Sequence, residues 1–206
     1  LKIERTVVGV YAANCYIVYS EDTNEGIVID PGAEGDIIID KIKKLGLNIK
    51  YIIITHGHGD HIGALSEVKQ FTNAPVLIHE LDKDMLKDGD KSLSNVINKK
   101  NVNLEADMLL KGGEEIKVGN LKFEIIHTPG HTPGGISVKC GNSLFTGDTL
   151  FYHSVGRTDF PGGSFEDIVN SVKEKLIIYP DETVVYPGHD RYSTIGEEKK
   201  YNPFIN

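Results

Sequence analysis

Residues 55–61 read Thr-His-Gly-His-Gly-Asp-His, "THGHGDH", directly after the apolar run "YIIIT" at 51–55. Four possible metal ligands, His56, His58, Asp60 and His61, fall within six residues and are spaced by glycines. Core packing has no use for such a cluster, because burial would leave its polar atoms desolvated and unpaired. His56 and His58, two apart in an extended turn, can point to the same side and chelate one ion. Asp60 and His61 stand just beyond, at the start of a helix that continues through Ile62, and reach a second ion more easily than they crowd the first. Imidazole suits zinc, iron or manganese, and added carboxylate favours harder divalent ions. Taken alone, the loop leaves open whether it holds one ion, two or none.

The same layout, an apolar strand running into a glycine-rich loop, recurs downstream. "FEIIHTPGH" leads to His131, "NSLFTGD" to Asp148 and "TVVYPGH" to His189. Strand ends at one edge of a sheet are where a rigid scaffold brings distant side chains together. Glycine lets the backbone turn sharply there and leaves room for a ligand. His127, four residues before His131, is a rival ligand on spacing alone.

Around these loops, short β-branched runs with turn residues between them predict strands at Ile3–Val10, Cys15–Tyr19, Gly26–Ile29, Tyr51–Ile54, Pro75–Ile78, Leu121–Ile126, Ile136–Val138, Ser143–Phe145 and Thr183–Tyr186. "GNLK" at 119–122 predicts a hairpin with Glu115–Val118. Ile38, Ile42 and Leu45 keep helical spacing, with Gly46 as the stop. Ser164 caps a helix whose stripe is Phe165, Ile168, Val169, Val172 and Leu176. Residues 62–71 and 80–87 are further expected helices, and the polar stretch 88–113 is expected to be a mobile insertion. No linker divides the 206 residues, so one domain over 1–206 of the α/β or α+β layered class is expected.

A formal net charge of −8 argues against a nucleic-acid partner, since phosphate binding needs clustered Lys and Arg. The pairs Lys43-Lys44 and Lys99-Lys100 read as solvated surface. No apolar run approaches the roughly 18 residues of a membrane span. The opening "LKIERTVVGV" lacks the layout of a signal peptide, so a cytoplasmic protein is expected. Cys15 and Cys140, both in strand-like surroundings, read as buried thiols of a reduced compartment.

"THGHGDH", "HTPGHTPGG", "FTGDTLF" and "YPGHD", in this order, resemble the metal-binding segments of the metallo-β-lactamase fold superfamily. The resemblance implies a four-layer αββα sandwich with the metal site on one edge. Carried over residue by residue, it implies that His56, His58 and His131 hold one divalent ion. Asp60, His61 and His189 would hold a second, with Asp148 bridging the two. It favours His131 over His127 as the ligand. "IDPG" at 29–32 resembles a segment near the metals, so Asp30 is expected to orient a ligand histidine. "ANCY" at 13–16 matches an early strand in which Asn14 and Tyr16 are structural.

Within that superfamily the glyoxalase II-like (hydroxyacylglutathione hydrolase-like) branch fits best. Flavodiiron proteins carry Glu where His58 stands, and many β-lactamases lack the bridging aspartate or use a cysteine ligand. "SVGRTDFPGGS" at 154–164 resembles the compact bacterial glyoxalase II-like group. Persulfide dioxygenases, with a single non-haem iron, share "GRTDF" and are the alternative. The resemblance implies two divalent cations, zinc first with iron or manganese as options, and a small-molecule thioester such as S-lactoylglutathione. A hydroxide held between the cations would attack the thioester carbonyl, with Asp60, His56, His58 and Asp148 as the catalytic set. Longer glyoxalase II enzymes continue into a C-terminal helical region that holds the glutathione thiol. That region is expected to be lacking here, with only 17 residues after His189. Arg157 is the cation beside the site, free to meet an anionic substrate or to pair with Asp159 or a backbone carbonyl. Tyr152, His153 and Tyr192 are candidate walls of the substrate pocket.

Overall fold

Fourteen strands and six α-helices follow from the alternation of apolar runs and turns in a computed structural model that describes residues 1–97 and 101–205. Lys99-Lys100 lie outside the described residues. The first half contains β1 (Lys2–Val8), β2 (Ala13–Tyr19), β3 (Glu25–Ile29), helix α1 (Gly35–Leu45), β4 (Asn48–Ile53), α2 (Gly59–Ile62), α3 (Leu65–Thr72), β5 (Val76–His79), α4 (Ser94–Ile97) and β6 (Met108–Leu110). The second half contains β7 (Glu115–Val118), β8 (Leu121–His127), β9 (Ile136–Cys140), β10 (Ser143–Gly147), β11 (Leu150–Phe151), β12 (Ser154–Val155), α5 (Phe165–Ser171), β13 (Val184–Pro187), β14 (Ser193–Thr194) and α6 (Ile195–Tyr201).

Two six-stranded sheets result, β1-β2-β3-β4-β5-β6 and β14-β13-β10-β9-β8-β7, with β11 and β12 as a small ribbon. Both are mixed: β3 to β6 run parallel, as do β10 and β13, and the other pairs are antiparallel. Period-two alternation explains the layering. Ile17, Val28, Ile52 and Val76 face outward and pack under Ile38 and Ile42 of α1 and Leu65 and Val68 of α3. Their neighbours Tyr16, Ile27, Ile53 and Leu77 face inward, against Phe123, Ile125, Val138 and Phe145 of the second sheet. Leu144 and Val185, on that sheet's far side, meet Ile168, Val172, Leu176 and Ile195. Helices therefore cover both outer faces of a two-sheet sandwich. Central strands buried on both faces read as continuous apolar runs, and all seven residues of β2 are buried.

Gly46 ends α1 in the left-handed conformation (φ 62°), its N–H returning to Ile42 and Lys43 carbonyls. The Ser164 hydroxyl caps α5 by accepting the Asp167 N–H at 3.2 Å. After α5 the apolar stripe continues through one π turn, Val172–Leu176. Three expectations need correction. The helix expected over 80–87 is a single 3₁₀ turn, Lys83–Leu86. That expected over 62–71 is broken into α2 and α3 around Gly63-Ala64. The stretch 88–113 contributes β6, whose parallel pairing with β5 extends the first sheet. Its first two residues are exposed, so no apolar alternation announces it. No helix among the described residues is long and apolar enough to cross a membrane.

Candidate metal centre

β3, β4, β8, β10 and β13 all deliver their C-terminal loops to one edge of the sandwich. The loops are knitted to each other through backbone bonds: Ile136 N–H to Thr55 O (2.9 Å), Gly188 N–H to Gly147 O (2.8 Å) and Asn14 N–H to Gly188 O (2.7 Å). Gly188 is required by close approach. A methyl group there would overlap the Asp148 carboxylate and stand 2.8 Å from His61 Cε1.

His56, His58 and His131 form one cluster of facing ligand atoms, and Asp60, His61 and His189 form another. In the first, His58 Nδ1 lies 2.9 Å from His131 Nε2. In the second, His61 Nε2 is 3.2 Å from His189 Nε2, and His189 Nε2 is 3.2 Å from Asp60 Oδ2. Asp148 stands between them. Its carboxylate reaches His131 Nε2 (3.5 Å) and His56 Nε2 (4.0 Å) on one side, His61 Nε2 (3.4 Å) and His189 Nε2 (3.6 Å) on the other.

Four of the five imidazoles have their orientation fixed from outside. His131 Nδ1–H donates to the Arg157 carbonyl (2.7 Å) and His189 Nδ1–H to the Tyr11 carbonyl (3.0 Å). His61 Nδ1–H donates to Asp30 Oδ2 (3.0 Å). The Thr55 hydroxyl donates to Asp30 Oδ2 (2.6 Å), so its lone pair receives His56 Nδ1–H at 3.2 Å. Each therefore turns Nε2 inward, while His58 turns Nδ1 inward. Asp30 also lies close to His56 and His61, but its oxygens are engaged by these donors and by the Thr55 N–H (2.7 Å). Asp30 thus orients a histidine of the cluster, and it holds a left-handed backbone (φ 51°) to do so.

The electrostatics are those of a site built for cations. Burial holds His58 down to about 3 and His56 well below the ordinary range, assisted by neighbouring imidazoles. Burial opposes charging His61 too, but the Asp148 and Asp60 carboxylates outweigh it and push its pKa well up. His189 rises for the same reason, through Asp60 and Asp148. Against its own burial, Asp148 is kept well below the carboxylate range by the surrounding histidines. Among the described residues, buried His56 Nε2 and Asp148 Oδ1 have no hydrogen-bond partner. Buried polar atoms without partners are costly. Inward lone pairs facing each other and two orphaned ligand atoms fit divalent cations between them.

A cavity of about 530 Å³ opens onto this edge, with Asp60, Asp148 and His189 at its floor. Arg157 lines it but is held by Asp159 through two 2.7 Å bonds, with its guanidinium 3.9 Å over the Phe160 ring. Tyr152, His153 and Tyr192 do not line it. His153 donates to Glu197 Oε1 (2.8 Å) and stacks on Tyr152, whose ring also meets the Arg191 guanidinium at 3.7 Å. Tyr192 is exposed, 6.2 Å from the Tyr186 ring. His153 has a left-handed backbone (φ 53°), and of residues 151–153 it is Phe151 that lines the cavity. His127 bonds the Pro133 carbonyl (2.9 Å) and stacks on His79 at 4.1 Å, outside both clusters. Asn14 and Tyr16 brace the His189 loop through the Pro187 carbonyl (2.9 and 2.7 Å).

Buried Asp82 was not marked by the sequence. It accepts from the Thr132 hydroxyl (2.6 Å) and the Gly134 N–H (2.7 Å), and the Gly57 N–H also stabilises it. It thereby ties the His131 loop to the His56–His58 loop.

Comparison with known proteins shows the family. Over its whole length the chain is 38% identical to the probable metallo-hydrolase YqgX of Bacillus subtilis, covering 98% of that protein. It is 36% identical to hydroxyacylglutathione hydrolase GloC of Haemophilus influenzae, covering 99% of it. Among solved structures, the BLEG-1 B3 metallo-beta-lactamase superposes with a TM-score of 0.94 at 33% identity, with both chains fully covered. TTHA1623 in a di-iron-bound form gives 0.85 at 30%, covering 98% of this chain and 99% of that one. ETHE1 from Myxococcus xanthus gives 0.81 at 30%, covering 98% and 84%. The family model of the metallo-beta-lactamase superfamily matches residues 8–189, from the end of β1 to the last histidine of the cluster, and the chain belongs to that superfamily.

Proposed function

We propose that the protein is a binuclear metal-dependent hydrolase that cleaves a small-molecule thioester. The observation that carries this reading is the pair of three-residue clusters joined by Asp148, with four of their five imidazoles turned inward by outer hydrogen bonds. His56, His58 and His131 would hold one divalent ion and Asp60, His61 and His189 the other, with Asp148 shared. Such cations polarise a carbonyl and bring the pKa of water down from 15.7 to about 7. The protein's own groups do the rest. Asp30, Thr55 and the carbonyls of Tyr11 and Arg157 fix the imidazoles before substrate arrives, so no reorganisation is left for the reaction. Asp60, at the cavity floor, is placed to accept the hydrogen bond of an attacking water. No serine or cysteine nucleophile is required, and buried Cys15 has its thiol pKa pushed up by desolvation.

The GloC relative supports a thioester, and the di-iron-bound neighbour supports two metals, with iron beside zinc as a candidate. "GRTDF" and the ETHE1 neighbour keep a second reading, a mononuclear iron persulfide dioxygenase.

The test combines metal quantification with assays of S-lactoylglutathione, an uncharged acetyl thioester, a chromogenic β-lactam and glutathione persulfide. Two metals per chain with thioester turnover are expected, and His58→Ala and Asp148→Ala should be folded and inactive. Wild-type turnover in either variant after metal is restored would sink the binuclear model. One iron with sulfite release would favour the dioxygenase, and β-lactam turnover alone would exclude a thioesterase.

A further inference from the structure

The cavity's two sides differ in chemistry. Its floor is the charged cluster, whereas Tyr11, Leu93, Val96, Ile97, Phe151 and Phe160 supply its apolar wall. Tyr11 and Val96 come from separate segments, the β1–β2 connection and α4, and remain 53% and 73% exposed. Apolar side chains left open to water around a polar floor mark a ligand-contacting surface. A volume of about 530 Å³ is within the range of small-molecule sites.

The charge on this wall is already matched. Among the described lining residues Arg157 is the one Lys or Arg, and both carboxylate oxygens of Asp159 face its guanidinium at 2.7 Å. Its flat face is on Phe160, so the pair presents neutral surface to the cavity. The carboxylates there, Asp60 and Asp148, belong to the metal-binding floor and so face the reacting end of a substrate, not its body. An anionic substrate body would find no free cation among these residues, while an alkyl or aryl body would cover wall that is otherwise wet.

On the basis of the thioesterase reading above, we propose that the preferred substrate is a thioester whose non-reacting body is uncharged and apolar, selected by this wall and by the Arg157–Asp159 pair. Each methylene buried against the wall should raise kcat/KM about fourfold, the equivalent of about 0.8 kcal/mol.

The experiment uses the metal-loaded protein and two series of uncharged thioesters, N-acetylcysteamine esters from acetyl to octanoyl and acetyl esters of ethyl to hexyl thiol. S-lactoylglutathione is the anionic comparison. Calorimetric titration with hexanoate and with lactate reads the wall without turnover. Rising kcat/KM along either series, to values above that for S-lactoylglutathione, with hexanoate bound more tightly than lactate, is the expected result. Val96→Asp should cut the long-to-short ratio about tenfold. Asp159→Ala, which releases Arg157, should improve S-lactoylglutathione relative to the octanoyl ester by about tenfold, as a freed charged hydrogen bond allows. Flat profiles in both series, or S-lactoylglutathione preferred throughout with hexanoate no tighter than lactate, would overturn the proposal while leaving the hydrolase standing. No turnover of any thioester, with hexanoate still preferred, would remove the thioesterase reading and keep the apolar subsite.

Discussion

Four of the five histidines of the cluster are aimed by what the outward nitrogen donates to, and the partners differ in kind. His61 rests on a carboxylate, His56 on a hydroxyl, and His131 and His189 on backbone carbonyls. Asp30 is the most consequential, because its side chain receives both His61 and Thr55, and Thr55 in turn orients His56. Asp30→Asn should weaken metal binding about 10- to 100-fold, the usual cost of losing such an outer partner. A competition titration against a fluorescent zinc chelator would measure it, and unchanged affinity would refute the role. The histidines and aspartates that converge were all readable in the sequence, since metal chemistry demands those residue types after a strand end. The carbonyls of Tyr11 and Arg157 were not, because a backbone acceptor carries no residue identity. Nor did adjacency to Asp148 in sequence place Tyr152 or His153 in the cavity, since Glu197 and Arg191 hold them elsewhere.

At the level of elements, the short 3₁₀ segment 83–86 matters through the residue before it. Asp82 sits in "HELDKDM", where its sequence neighbours suggest surface, yet it is fully buried between two ligand loops. Asp82→Asn removes one acceptor oxygen, so at least one of the donors that meet it, the Thr132 hydroxyl and the N–H groups of Gly134 and Gly57, loses its partner. A loss of about 1–3 kcal/mol is expected by urea unfolding, with weaker metal binding at both His58 and His131. Another element-level coupling lies at Tyr179, after the π turn that extends α5. Burial, then the adjacent Glu124 carboxylate, pushes its phenol up to about 12. An unfolded tyrosine loses its proton near 10, so between about pH 10 and 12 the native state binds more protons and stability falls as pH rises. Tyr179→Phe should flatten that alkaline limb in pH-dependent thermal melts; an unchanged slope would show that Tyr179 is not the group responsible. The major strands and α1 and α5 were legible because burial enforces periodicity. β6 was not, since an edge strand of three residues with two exposed lacks an alternation to read.

For the whole molecule, the site joins both sheets, so its occupancy should govern global stability. Without metal, the edge keeps buried atoms that lack partners among the described residues and ring nitrogens of His61 and His189 that face each other at 3.2 Å. Metal that binds only the folded chain stabilises it by mass action, by about 4 kcal/mol at a thousandfold excess over Kd. Stripping with a chelator should therefore lower the unfolding midpoint, and adding zinc, iron or manganese should restore it in proportion to affinity. A midpoint indifferent to chelator would contradict a site that spans the two sheets. The two-sheet layering itself could be expected from the resemblance of the loops, whereas periodicity alone left the α/β and α+β alternatives open.

The bond from His189 to the Tyr11 carbonyl links residues 178 positions apart, and Ala13 forms a β-bridge to the same histidine. During synthesis, the early strands, together with the "THGHGDH" loop, must leave the ribosome long before their last partner exists. The nascent chain can offer only His56, His58, Asp60 and His61, then His131 and Asp148, in that temporal order. Completion of the second cluster thus waits for residue 189, and a ribosome-bound chain stalled before it should capture metal only in its first cluster.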